Sequence, residues 1–208
     1  MAAFLDEYMF GKDRETIGFP HLLLCIGIVV VCDDALYGFH SSSLGTNSDS
    51  AVAFREFCNL RGMSNGGLGR VESVLSAADF RQRYKDGRAD WEREMREFSG
   101  LFGYAGDVFG FDTSVMHPSD GAYVEFKKSS GERGGCRISY KRHEKTVIGP
   151  RVQIPLSDRA NVISYDARLG RRRAVTFAAS GVTGRTSLFH KGLFHRVSGS
   201  ALTVARFQ

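Results

Sequence analysis

Cys25 and His40 bring a thiol and an imidazole close together along the chain, the two groups that nucleophilic acyl chemistry needs. A thiol attacks as the thiolate, and a neighbouring histidine is a suitable base to draw off its proton near neutral pH. Whether the two can meet depends on how the stretch from His21 to His40 folds. Leu22 to Val31 is apolar on both faces and β-branched toward its end, which predicts a central strand covered on each side. Asp33-Asp34 supply a turn, because short acidic side chains bond their own backbone there. Ala35 to Ser41 then runs back.

The register of this hairpin decides the matter. With Asp33 and Asp34 as the turn, Cys25 faces Ser42 and Gly27 faces His40. Cys25 and His40 are then diagonal neighbours on one face. A turn at Cys32-Asp33 sets them directly opposite. A three-residue turn puts them on opposite faces, since a one-residue slip inverts every side chain. Gly27 and Gly38 share the favourable face, and strand glycines often mark close approach by a ligand or another backbone. With Ser41 and Ser42 they are read as a substrate pocket beside the sulfur. A third group should orient the imidazole; Thr16 or a backbone carbonyl is the candidate.

A cysteine opening one strand and a histidine closing the next resembles the cysteine glutamine deamidases. These are the chemoreceptor deamidase CheD and the catalytic domains of cytotoxic-necrotizing-factor-type toxins. Leu24-Cys25 and Gly38-Phe39-His40, with the apolar run between them, carry the resemblance. The family's small-residue stretch before the cysteine is replaced here by Leu22-Leu23-Leu24. The resemblance implies a protein glutamine deamidase, a cysteine amidohydrolase of the kind a bacterial effector or toxin directs at a host protein. Its partner would be a protein substrate carrying the target glutamine. The same acyl-enzyme would give transglutamination with an amine acceptor. No cofactor and no metal are expected.

The chain has 208 residues, 42% hydrophobic and 25% charged, which fits one sizeable catalytic domain over residues 1–208. The net charge of +5 is unevenly spread: the first hundred residues hold 11 Lys/Arg against 15 Asp/Glu, the remainder 17 against 8. A basic second half suits an acidic partner surface, with nucleic acid as the weaker reading. Cys25, Cys32, Cys58 and Cys136 show no metal-ligand spacing and are read as reduced. The N-terminus lacks a basic start followed by an apolar core, and the Leu22–Val31 run is too short to span a bilayer. A cytoplasmic site is expected, or secretion without a cleaved signal into a host cytosol.

Further elements follow from periodicity. The first twenty residues, ending at Pro20, read as irregular structure or a short helix over a sheet edge. Ala51, Phe54, Phe57 and Cys58 form one stripe of a helix over about residues 51–60. Ala77, Phe80, Tyr84, Trp91, Met95 and Phe98 predict a long helix over 77–98, opened at Ser76 and Asp79 and split at Gly87. Gly100 to Ser119 reads as a loop region. Tyr123–Lys128 and Cys136–Arg142 form a half-exposed hairpin, and Val147–Ile154, Val162–Tyr165, Ala174–Ala178 and Ala201–Phe207 are further strands. The fold class is α/β, more closely α+β: a mostly antiparallel central sheet or sandwich flanked by helices.

Other motifs weigh less. Ala179 to Thr186 approaches a phosphate loop but has Arg185 where that motif needs lysine. His190 and His195 flank the turn Lys191-Gly192 with no carboxylate nearby, and Arg171-Arg172-Arg173 reads as a solvated loop. Two rival functions remain: a non-catalytic basic protein-binding module (an immunity or adaptor protein), and an RNA-directed toxin using His190 and His195.

Overall fold

The computed structural model of the chain describes residues 3–5, 7–42, 49–62, 69–115, 122–142, 162–164 and 195–207. Its first strands are β1 (Ala3–Phe4), β2 (Met9–Asp13) and β3 (Thr16–Leu22). The N-terminal stretch is therefore strand, not the irregular cover expected from its Gly and Pro punctuation. Asp13 is the reason locally: its Oδ1 accepts the N–H groups of Glu15 and Thr16, closing the turn between β2 and β3. Pro20 is accommodated where the pairing of β3 shifts between Phe19 and Leu22, a position where a missing N–H costs no ladder bond.

The central hairpin follows as β4 (Ile26–Cys32) and β5 (Leu36–Ser41). Every residue of β4 is buried, as a strand covered on both faces requires. The apolar run is not one strand, however. Leu22 ends β3 in one sheet and Ile26 begins β4 in the other, so Leu23 to Cys25 cross between sheets. Leu24 is correspondingly exposed.

Helix α1 (Asp49–Gly62) buries Ala51, Phe54, Phe57 and Cys58, the expected stripe. The next elements are β6 (Val71–Ala78), the single turn α2 (Phe80–Arg83), and α3 (Arg88–Leu101). The long helix begins later than its periodicity indicated, because Ala77 belongs to β6. Asp79 caps α2 by accepting the N–H groups of Arg81 and Gln82 at 3.0 Å each. Gly87, at φ +52°, separates α2 from α3 at the expected break. The region read as a Gly/Phe/Asp loop contains β7 (Val108–Asp112), which pairs parallel to β6. A parallel pair needs a crossover connection, which α2 and α3 supply.

The chain closes with β8 (Ala122–Lys128), β9 (Cys136–Arg142), β10 (Val162–Ser164), β11 (His195–Arg196) and β12 (Thr203–Ala205). The β8–β9 hairpin, β10 and β12 match expected strands, while residues 147–154 and 174–178 lie outside the described residues. A five-stranded sheet runs β1-β3-β8-β9-β11 and a seven-stranded sheet β10-β2-β5-β4-β6-β7-β12, both mostly antiparallel. The expected mixed α/β sandwich is present, with a refinement: the described helices all pack on one face of the seven-stranded sheet. Ile17, Phe19, Val29, Val31, Leu75, Val124 and Phe126 form a core between the sheets. Ile28, Val30, Phe39, Phe54, Trp91 and Phe98 form another under the helices. Among the described residues no helix is long and apolar enough to cross a membrane.

Candidate functional site

Cys32 N–H donates to the Ala35 carbonyl at 2.9 Å, and Val31 pairs with Leu36, so Asp33 and Asp34 are the two turn residues. Gly27 consequently faces His40 and Ile26 faces Ser41. The pairing ends there, so Cys25 stands one residue before β4, in the segment that crosses between the sheets. His40 lies on the face turned toward the five-stranded sheet, and Cys25 packs at the margin of the same inter-sheet core.

His40 is 1% exposed. Its Nδ1 lies 2.8 Å from the carbonyl oxygen of Leu5. A carbonyl can only accept, so Nδ1 carries the proton and the neutral ring has its lone pair on Nε2. The orienting group is therefore a backbone carbonyl. Thr16 lies elsewhere: it opens β3 opposite Lys127, toward the hairpin tip. Phe19, about 10 Å further along β3, is the residue whose ring meets His40 edge-on, with centroids 5.8 Å apart.

Gly27 and Gly38 admit protein, not substrate. A Cβ on Gly27 would lie 2.6 Å from the Phe19 ring, and one on Gly38 would lie 2.6 Å from Leu5 Cδ1 and 2.8 Å from Ile17 Cγ2. The glycines let the two sheets approach, and side chains fill the space expected to hold a ligand. Ser41 is buried and shares its face with Ile26, on the helix side of the sheet. Ser42 is half-buried and follows the end of β5.

Burial pushes the Cys25 thiol up to about 12; the Glu7 carboxylate, which also accepts a hydrogen bond from the thiol, adds to the rise, and Arg83 opposes it. Burial first, and the Glu7 charge second, favour the protonated sulfur. Arg83 belongs to a buried group that sequence reasoning did not single out. Its Nη2 and Nε donate to the two oxygens of Glu94, at 2.9 and 3.3 Å, and its Nη1 donates to the Leu24 carbonyl at 3.1 Å. Tyr84 Oη also donates to Glu94. The available signal was Glu94 itself, a carboxylate between Trp91, Met95 and Phe98 on a stripe otherwise apolar.

A cleft of about 540 Å³ opens at the other end of the hairpin, on the helix side, where Arg55 and Asn59 of α1 face Phe102, Gly103 and Tyr104 beyond α3. Among the described residues no group of three or more His, Cys, Asp or Glu is placed to hold a metal ion. His195 is exposed on β11, its ring 5.4 Å from that of Tyr140. His190, the Arg171–Arg173 run and the 179–186 segment lie outside the described residues. Comparison with known proteins gives no match to a family model and none to a curated protein. Function is accordingly argued from geometry.

Proposed function

We propose that this chain works by binding, with Cys25 and His40 serving its core. The observation that carries this reading is the Phe19 ring, which occupies the space over Gly27 and abuts His40 between the sheets. A substrate carboxamide would have to displace that ring to lie between thiol and imidazole. The raised thiol agrees, since a catalytic cysteine is normally held below the ordinary value. The four free thiols support work in a reducing compartment, the cytosol of the producing cell or of a host.

A second reading, a thiol amidohydrolase acting on a protein glutamine, is favoured by the hairpin register and by the Leu5 carbonyl on Nδ1. In that mechanism His40 Nε2 takes the Cys25 proton and the thiolate attacks the carboxamide carbon. A backbone N–H near Cys25 holds the oxyanion, and the imidazolium returns its proton as ammonia leaves. Water then hydrolyses the thioester, giving glutamate and restoring the thiol.

The rate of Cys25 alkylation against pH separates the two. The binding reading expects a rate that climbs about tenfold per pH unit from pH 7 to 10 without levelling. A plateau already reached near neutrality, lost in His40→Ala, would overturn it in favour of the hydrolase.

A further inference from the structure

We propose that the cleft beside α1 binds a small oxyanion carried on a flat aromatic body, an aryl carboxylate or aryl phosphate. The inference rests on the binding reading and names its ligand class. Arg55 and Asn59 are one helical turn apart on α1, so their donors lie one above the other on the same face. Arg55 is half-buried, and its Nε lies out of solvent without a hydrogen-bond partner. Among the described residues it joins no ion pair. An arginine so placed has a planar fork of donors and, among the described residues, no acceptor for it, and a carboxylate or phosphate is the group whose geometry fits that fork.

The opposite wall supplies the second half of the specificity. Phe102 packs against Phe54 and Phe98, with centroids 5.8 and 5.3 Å away. Tyr104 is fixed by its hydroxyl, which donates to the carbonyls of Glu72 and Asp107 at 3.1 Å each. Both rings are therefore held before a ligand arrives, with Val71 and Leu101 as apolar floor. Two carbonyls at the end of α3 already accept backbone N–H groups. Ser99 O accepts from Phe102 and Tyr104, and Gly100 O from Gly103. Asp33 and Asp34 stand behind Gly69, which also lines the cleft. Asp34 is paired with Lys12 at 2.8 Å, and Lys128 Nζ, which donates to the Asp33 backbone carbonyl at 2.7 Å, sets a second positive charge at the same turn.

NMR titration of the full chain tests this, with benzoate, phenyl phosphate, benzyl alcohol and inorganic phosphate as probes. Benzoate or phenyl phosphate should saturably shift the Gly103 and Tyr104 amides at millimolar concentration or below, and which of the two binds tighter tells carboxylate from phosphate. Benzyl alcohol and inorganic phosphate should each bind at least about tenfold more weakly, since each lacks one half of the recognition. Arg55→Gln should weaken the oxyanion probe about tenfold or more, and Arg55→Lys should restore part of it. Asn59→Asp, an exposed change that hands Arg55 an internal carboxylate, should do the same without touching the core. Equal binding of benzyl alcohol and benzoate, or undiminished binding in both Arg55→Gln and Asn59→Asp, overturns the oxyanion class while leaving a binding cleft. No shift with any probe overturns the proposal, and a neutral plateau in Cys25 alkylation would remove the binding reading with it.

Discussion

The ring of Phe19 stands where a side chain at Gly27 would be. This single relationship joins the two sheets at the level of His40 and decides what the glycine is for. Adding one methyl at Gly27 places it 2.6 Å from the ring, against an aromatic wedged between two sheets. Gly27→Ala should destabilise the protein by about 1–3 kcal/mol through overpacking. Urea unfolding measures this. An unchanged midpoint would mean that the space over Gly27 is free, and the case for an open pocket at Cys25 would return.

The buried ion pair makes a larger demand. Arg83 is fully buried at its side chain and Glu94 nearly so. Arg83, held by Glu94, bonds the Leu24 carbonyl next to Cys25 in the chain. Glu94→Ala leaves a buried guanidinium without its carboxylate, which should cost about 3–5 kcal/mol. The double variant Arg83→Met/Glu94→Leu should recover most of that loss, because apolar groups of similar size need no partner. Recovery is read from paired denaturation curves. If Glu94→Ala is as stable as the parent, the pair is not the anchor of this corner.

The hairpin, α1, the break at Gly87 and the β8–β9 ladder were legible because local chemistry determines each: a two-aspartate turn, a 3.6-residue stripe, a glycine, and alternation bounded by glycines. Elements whose burial comes from distant partners were not. β6 and β7 are central strands covered on both faces, so neither alternates, and the aromatic spacing through residue 77 ran helix into strand. The same limit explains the site. Register could be enumerated from the hairpin alone, and the face of His40 follows from it. What fills that face is Phe19 and Ile17 of β3 with Leu5 just past β1, from a stretch whose strands the N-terminal sequence did not announce.

Trp91 is the only tryptophan in the chain and is fully buried. It stacks on Phe80 with centroids 5.2 Å apart, and its Nε1 donates to Ser76 Oγ at 2.9 Å. Its fluorescence should be blue-shifted in the native state and resist iodide quenching. Trp91→Ala should cost about 3–5 kcal/mol. A red, quenchable emission would show that the stripe of α3 does not pack on the sheet as described.

Asp34 gives a pH dependence with a definite sign. Burial acts to raise its carboxyl, but the hydrogen bond and charge of Lys12, with the Tyr37 hydroxyl, overcome this and hold it below the ordinary value. A folded value below the unfolded one means stability that is complete above about pH 4 and lost as pH falls through the folded value. Lys12→Met should flatten that acid limb and leave the curve above pH 5 nearly parallel to the parent. An unaltered acid limb would show that other carboxylates carry it.

The thiol of Cys25 offers the sharpest check on its own surroundings. It alone among the four cysteines is not buried, so native alkylation should reach one thiol ahead of the other three, and denaturation should expose four. Burial is the main reason the thiol is raised, and Glu7 contributes next through charge and hydrogen bond. Glu7→Gln removes the charge while Arg83 continues to favour the thiolate. More thiolate should then be present at any given pH, so alkylation at pH 8 should accelerate severalfold while the slope against pH persists. Glu7 is exposed, so the substitution should not disturb the fold. A slower rate in Glu7→Gln would show that the carboxylate acts as a base toward the sulfur, and would bring the hydrolase reading forward with Glu7 in the role assigned from sequence to His40.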